Sequence, residues 1–338
     1  MNFKVAISLL LCLLTLQSQA QSYYEKAITY EAGISIGPMN SLTDIGGTPG
    51  FGKRGPKDLN IKSTTLFGSV YGSAVYKHFA ALRLEATAGR IKSNDSLLKG
   101  IHSPNKAIGR YNRNLSFRSA IYEISLTGEL HPISLLSGYD PVSFPPTFSP
   151  YLIGGIGFFH FNPQALLNSE WIDLRPLHTE GQGFAEYPGR KEYKLNQFNI
   201  PLGIGISYEA TSKFNLRLEY ISRKTFTDYL DDVHDTYINP DDFKKYLSGD
   251  QLNQALILNN RVRADAVANQ TTARPGGRRG NPLNNDSYFT INLKLGFVFG
   301  RDESSSGGGG GFGGGGGGNS DRKLQRLQRQ QRSCPRLF

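Results

Sequence analysis

Cysteine, methionine and tryptophan are nearly missing: 338 residues hold two, two and one of them. Cys12 lies in an apolar run near the N-terminus, so once that run is removed as an export signal Cys334 stands alone and no internal disulfide can form. No uninterrupted apolar stretch approaches 18 residues, which excludes a helical membrane span. The six histidines show no metal-ligand spacing, and there is no P-loop or dinucleotide fingerprint, so neither cofactor nor metal is expected. The glycine run at 307–318 lacks the flanking strand and helix that a phosphate loop requires. The negative mean hydropathy argues against a helical membrane protein, but not against a barrel with a polar interior and polar loops.

What is present begins with an export signal. Lys4 supplies a positive start, Ala6–Leu16 an apolar core, and Ser18-Gln19-Ala20 small residues for cleavage after Ala20. Residues 1–20 therefore read as a signal peptide, 21–300 as a barrel and 301–338 as a tail. In the tail, glycine runs at 307–311 and 313–318 lead to Arg322, Lys323, Arg326, Arg329 and Arg332. This is a disordered linker with a basic end, expected in the periplasm. Much of the net charge of +10 sits there, with seven Arg/Lys against three acids after Gly300, so no nucleic-acid role is read from it.

Between these ends, polar and apolar residues alternate in long segments. In 27–37, Ile28, Tyr30, Ala32, Ile34 and Ile36 interleave with Thr29, Glu31, Gly33, Ser35 and Gly37. Segments 79–89, 197–209, 213–223 and 287–299 repeat the pattern, 118–130 nearly matches it, and 64–77 and 150–161 show it weakly. Strand side chains alternate between faces, so each segment is a ribbon with one apolar and one polar surface. Eight such ribbons, each long enough to cross a bilayer, predict an all-β fold, an eight-stranded antiparallel transmembrane up-and-down barrel.

The connections alternate in length. Lys77-His78, 131–149 and Thr211-Ser212 are the shorter links; 38–63, 90–117, 162–196 and 224–286 are long. Short turns are periplasmic and long loops extracellular in such barrels, so both termini are expected in the periplasm. Pro201 interrupts a strong strand, where a bulge would accommodate its missing N–H.

The inward face carries Glu31, Arg83, Glu85, Glu123, Glu129, Arg217, Glu219 and Lys294. Eight strands enclose a space that side chains fill, so these charges must pair, and an ionic plug is expected rather than a channel. Asp228, Asp231, Asp232, Asp235, Asp241 and Asp242 cluster in the last long loop, but their spacing departs from the EF-hand pattern. A solvated acidic loop is expected there rather than a calcium site. A lipid-modifying hydrolase would need Ser, His and Asn or Asp at adjacent outward strand positions. Only His160 lies on a predicted strand, among Phe158, Phe159 and Phe161, and it reads as part of an aromatic girdle.

Three sets of residues carry a resemblance. They are Tyr30–Gly33 with Leu42–Gly46; Leu174–Gly183, including Glu180, Gly181, Gln182 and Gly183, leading into Asn199–Gly205; and Arg223–Val233, with Arg223, Lys224, Asp228, Asp231 and Asp232. Across 30–299 the chain resembles the Bacteroidetes outer-membrane barrel family that includes PorG, a component of the type IX secretion system; the glycine-basic tail departs from its pattern. The resemblance implies a non-enzymatic barrel that docks secretion components of the periplasm or outer membrane. It also implies that the loops holding 174–183 and 223–233 fold against each other, and that Pro201 belongs to the family pattern. The expectation is thus a structural or docking barrel in contact with outer-membrane lipid; the alternatives are a surface barrel whose loops bind ligand or host molecules, and the lipid-modifying enzyme.

Overall fold

The computed structural model describes residues 22–47, 60–99, 107–137, 146–263 and 274–304. The expected signal peptide, and the tail with Arg322, Lys323, Arg326, Arg329, Arg332 and Cys334, lie outside the described residues. Eight long strands form the wall: β1 Ser22–Leu42, β2 Thr65–Tyr76, β3 Ala80–Asn94, β4 Ser116–Leu130, β5 Phe148–Leu167, β7 Asn196–Glu209, β8 Phe214–Thr225 and β9 Ser287–Ser304. A four-residue strand, β6 Glu170–Asp173, folds back on the end of β5.

Every neighbour in the ring is antiparallel. The order runs β1-β2-β3-β4-β5-β7-β8-β9, and β1 pairs with β9 to close it. Closure leaves no long edge with free N–H and C=O groups, as a strand wall in lipid requires. This is an eight-stranded antiparallel transmembrane barrel of the outer-membrane type. The described residues of the connections 77–79, 131–147 and 210–213 lie at the same end as the start of β1 and the end of β9, with those of 43–64, 95–115, 168–195 and 226–286 at the other. Among the described residues no helix is long and apolar enough to cross a membrane.

The outward residues form an apolar belt. Ile34, Leu84, Ile124, Ile156, Ile204 and Leu293 are each more than half exposed, although their strands are paired on both sides. Such a surface on every strand is stable only against lipid.

Pro201 needs no bulge. The β5–β7 ladder runs from Phe148↔Tyr208 to Gly154↔Leu202 and resumes at Gly157↔Asn199 in the same register (154 + 202 = 157 + 199). Pairing simply lapses opposite Ile200 and Pro201, while Pro201 stays aligned with Arg223 on β8. The missing donor costs one short gap in a single ladder and leaves the face of every side chain unchanged. The register shift lies elsewhere, between Glu25 and Tyr30 on β1 against β9.

Several strands outrun their predicted ends: β1 continues to Leu42, β3 to Asn94 and β5 to Leu167. In these extensions and at the segment ends beside them the alternation inverts. Met39, Ile91, Phe117 and Phe161 point inward and are buried, while Arg90, Lys92, Arg118 and Gln164 point outward. The apolar-out pattern ends where this inversion begins, so the strands run past the alternation that predicts them.

Above the strands, the long connections fold into a cap. It holds helices α1 Ala107–Arg113, α3 Pro240–Tyr246 and α4 Gly249–Asn259; α2 Pro132–Ser137 lies at the opposite end of the barrel. Asn239 caps α3 by accepting from the Asp241 amide, and Pro240 takes the first helical position. One apolar core joins barrel and cap, with Met39, Ile91, Phe159 and Phe161 packed against Ile45, Leu115, Leu230 and Val233. A second lies within the cap around Leu174, Leu177, Phe184, Phe243 and Leu258.

Candidate functional site

The lower interior of the barrel is built from charge. Arg83, fully buried on β3, reaches Glu219 at 2.6 Å, Glu129 at 2.9 Å and Glu85 at 3.4 Å. Arg217 on β8 meets Glu31 at 2.5 Å and Glu129 at 2.7 Å. Lys294 on β9 meets Glu85 at 2.5 Å and Glu219 at 3.4 Å. Arg217 and Lys294 stand directly opposite each other across the β8–β9 ladder, yet each turns to a different pair of carboxylates. Glu123 sits apart from this set: its partner is Arg223, at 3.1 Å, one level higher. Arg223 therefore acts inside the barrel rather than in a loop, while Lys224, next along β8, faces out.

Five carboxylates thus face four cations, and three buried tyrosines supply further donors. Tyr71 donates to Glu31 at 2.5 Å, Tyr151 to Glu219 at 2.5 Å, and Tyr288 to Glu123. Asn215 and Asn199 donate to Glu31 and Glu123 at 2.6 and 2.9 Å. Charge-assisted bonds of this kind offset the cost of taking carboxylates out of water. The tyrosines escape a search for charged residues, and Tyr71 and Tyr151 lie on the two strands whose alternation is weakest. Their one signal is the pairing of each with an inward glycine. A Cβ on Gly205 would lie 2.5 Å from the Tyr151 ring, and one on Gly33 would lie 2.8 Å from Tyr71.

At the mouth on the side of the shorter connections, His131 stands 3.5 Å from Glu129 and bonds Ser149 at 3.0 Å, and Arg301 pairs with Glu209 at 2.7 Å. A cleft lined by His78, His131, Glu209 and Arg301 ends on Glu31 and Arg217. The salt-linked layer forms its floor.

The cap brings together the loop parts of the three sets of residues that carry the resemblance, while Tyr30–Gly33 and Asn199–Gly205 lie on β1 and β7 of the wall. Glu180, fully buried, accepts from the amides of His234 (3.1 Å) and Asp235 (2.9 Å) and from Arg279 (2.9 Å). Gly181 and Gly183 on either side of Gln182 have φ of +71° and +83°, and Gln182 accepts from the Glu180 amide. Asp232 accepts from Tyr193 at 2.8 Å and from Thr179. The loops holding 174–183 and 223–233 therefore fold against each other. Asp231 accepts from the amides of Ile45 and Val233 at 2.9 and 3.0 Å, which ties in the first motif, and Asp44 accepts from the Asn281 amide at 2.5 Å.

Most of the acidic loop is not solvated, Asp241 being the exposed exception. Asp228, Asp231, Asp232 and Asp242 are buried, Asp235 pairs with Arg190 at 3.2 Å, and Asp241 and Asp242 pair with Lys244 and Lys245. Sequence clustering suggested solvation because the donors that bury these groups come from loops more than 40 residues away, such as Thr179 and Ile45. Burial raises Asp232 to about 6 against the pull of Arg279, and raises Asp228 to about 7 against its 2.7 Å bond to His234. The same bond raises His234. Burial raises Asp44, with Glu180 adding to it, and burial raises Asp231 and Asp286, with Asp44 and Asp228 adding to both. Among the described residues, no three His, Cys, Asp or Glu side chains are placed to hold a metal ion.

His160 faces outward and bonds Asn196 at 2.8 Å. Its cross-strand neighbour on β4 is Tyr122, and Phe158 and Phe198 lie next to the pair on their own strands, with no serine among them. A His–Asn pair without a nucleophile fits an interfacial girdle.

Among solved structures, the chain is similar to Ail, the attachment invasion locus protein of Yersinia pestis, in complex with the heparin analogue sucrose octasulfate: 9% identity, 80% of this chain, 99% of that one, TM-score 0.33. It is also similar to Neisserial surface protein A (8% identity, 81% and 98% covered, TM-score 0.33) and to OprG of Pseudomonas aeruginosa (11%, 83% and 99%, TM-score 0.30). No curated protein matches the sequence. A family profile does match, over residues 4–254, and the chain belongs to that family, described as Domain of unknown function (DUF6089).

Proposed function

We propose that this is a non-enzymatic outer-membrane barrel acting as a structural and docking component, in the service of type IX protein secretion. In this reading residues 1–20 direct export, 21–300 form the barrel and 301–338 extend into the periplasm, where basic residues contact a secretion partner. The observation that carries it is the filled lumen: Arg83, Arg217 and Lys294 are locked to Glu31, Glu85, Glu129 and Glu219 across the whole cross-section. A barrel closed in this way moves nothing through itself, so its work falls to its rims. The resemblance to the PorG-containing family supplies the secretion context.

The test is removal of the gene and complementation with the full chain, with a chain lacking 305–338, and with one whose 132–147 link is shortened. Loss of type IX cargo from the medium in the deletion strain, restored only by the full chain, is the expected result. Normal cargo release without the gene would overturn the secretion reading. The ordered extracellular cap favours one second reading, a surface barrel whose loops bind a ligand or host molecule. That reading predicts instead that cell-surface binding follows substitutions in 174–193 and 226–263.

A further inference from the structure

Where the alternation inverts, the outer wall carries a basic patch. Arg90 and Lys92 on β3 and Arg118 on β4 all point outward, and Lys92 stands directly opposite Arg118 across the ladder. Like charges at directly opposed strand positions repel, since their Cβ atoms are only about 4.5–5.5 Å apart. Among the described residues neither Arg90 nor Lys92 is paired with a carboxylate. Arg118 gives its Nε to Gln164 at 2.9 Å, and its guanidinium carbon stands 3.8 Å from the Trp171 ring centroid; its two terminal nitrogens make no hydrogen bond among the described residues. Asp173, the β6 carboxylate on the same face as Trp171, accepts on its Oδ1 from Asn162 at 3.0 Å and Gln164 at 2.7 Å, while Glu170, the other β6 carboxylate, alternates to the opposite face.

The height of the patch identifies what lies against it. From Leu130 to Ala120 the outward side of β4 is free of charge, and this run climbs ten residues (130 − 120). At about 3.3 Å per residue and a tilt near 40°, it spans roughly 25 Å, the height of the apolar band of such barrels. Arg118 is the next outward residue, so it stands at the upper edge of the hydrocarbon, on the side of the long loops. Arg90 is level with Ala120 and Lys92 with Arg118.

We infer that Arg90, Lys92 and Arg118 form a binding surface for the phosphate groups of outer-leaflet glycolipid. The patch continues the lipid-facing belt, so its occupant is the head of a molecule whose chains already cover Tyr122 and Ile124. An anionic phosphate bridging Lys92 and Arg118 converts their mutual repulsion into two charge-assisted bonds. The contact with the Trp171 ring holds the guanidinium in place, and its terminal N–H groups are donors of the kind that suits phosphate oxygens. This inference is independent of the secretion reading.

The test is native mass spectrometry of the full chain in detergent with diphosphoryl lipid A, the same lipid dephosphorylated, and inorganic phosphate. The wild type is expected to retain the diphosphoryl form roughly tenfold more tightly than the dephosphorylated one. The triple variant Arg90→Gln/Lys92→Gln/Arg118→Gln loses that preference, whereas Lys213→Gln at the opposite end keeps it. Heat-modifiable gel mobility reports whether the triple variant is folded; if it is not, Arg118→Gln alone must still weaken the preference. Equal retention of both lipids by the wild type, or an unchanged preference in the folded variants, overturns the proposal. So does displacement of the lipid by millimolar inorganic phosphate, which marks a free-anion site instead.

Discussion

The same eight strands solve opposite problems at their two ends. Below Arg118 the wall presents Leu, Ile and Ala to lipid and seals its inside with Arg83, Arg217 and Lys294 against glutamates. Around its level, Arg90, Lys92 and Gln164 also face out, and the inside is Met39, Ile91, Phe117 and Phe161. The difference shows that the solvent outside sets the outward face, while the inside only has to fill a fixed volume. Either paired charge or packed hydrocarbon will do that. The two halves should then fail differently, one through stranded charge and the other through lost volume.

The largest effect is expected from stranding charge. Arg83→Met leaves Glu129, Glu219 and Glu85 with one neutralising contact fewer each. Removing one member of a buried pair costs about 3–5 kcal/mol. The urea midpoint of the refolded protein in micelles should fall accordingly, and Glu219→Gln added to Arg83→Met should recover part of the loss. A neutral Arg83→Met would mean that the lower half is held by its hydrogen-bonded wall alone.

Next comes lost volume in the upper half. Leu230 is fully buried where cap meets barrel. Leu230→Ala should cost about 2–5 kcal/mol through the cavity it leaves. Because this core joins loops to strand ends, the loss should appear as faster amide exchange in 226–238 and 43–47, with exchange in the membrane strands unchanged. Arg83→Met should move the whole barrel together. Exchange that rises everywhere in both variants would show that cap and barrel form one cooperative unit.

The contrast also explains what could be read from the chain. The eight strands were legible because lipid imposes a single rule on the outward face, which Ile28–Ile36 and Phe198–Tyr208 obey residue by residue. The inward glutamates and basic residues followed from the same alternation. Arg223 was legible as a motif residue but not as the partner of Glu123, because register across β4 and β8 is not written in either strand. Pro201 looked as if it demanded a bulge, since one strand alone does not say whether a ladder can lapse for two residues. The cap was hidden for a deeper reason: its alternation is absent, and Asp231 is buried by donors almost 190 positions away, at Ile45. Tyr71 and Tyr151 were hidden because an aromatic opposite an inward glycine breaks the apolar-out rule that revealed the strands.

The smallest effect separates the two halves by pH. Asp228 and Asp232 rise from the ordinary aspartate value of 3.8 to about 7 and about 6 on folding. A carboxyl raised in this way favours the folded cap fully below its unfolded pKa, and the contribution is lost as pH climbs through the folded value. His234, raised by its bond to Asp228, pushes in the same direction, because its protonated form is the one the fold prefers. The cap should therefore loosen between about pH 4 and 7, by on the order of 1–2 kcal/mol once solvent screening at its partly open side is allowed for. That is roughly 5–30-fold in the exchange of the Ile45, Leu230 and Val233 amides, after correction for intrinsic rates. Asp228→Asn should flatten the part of this curve above about pH 6, and below it should lessen the slope without abolishing it, because Asp232 shares that range. Protection that increases with pH would reverse the sign, and would mean that Arg113 and Arg279, rather than burial, govern the charge of the cap.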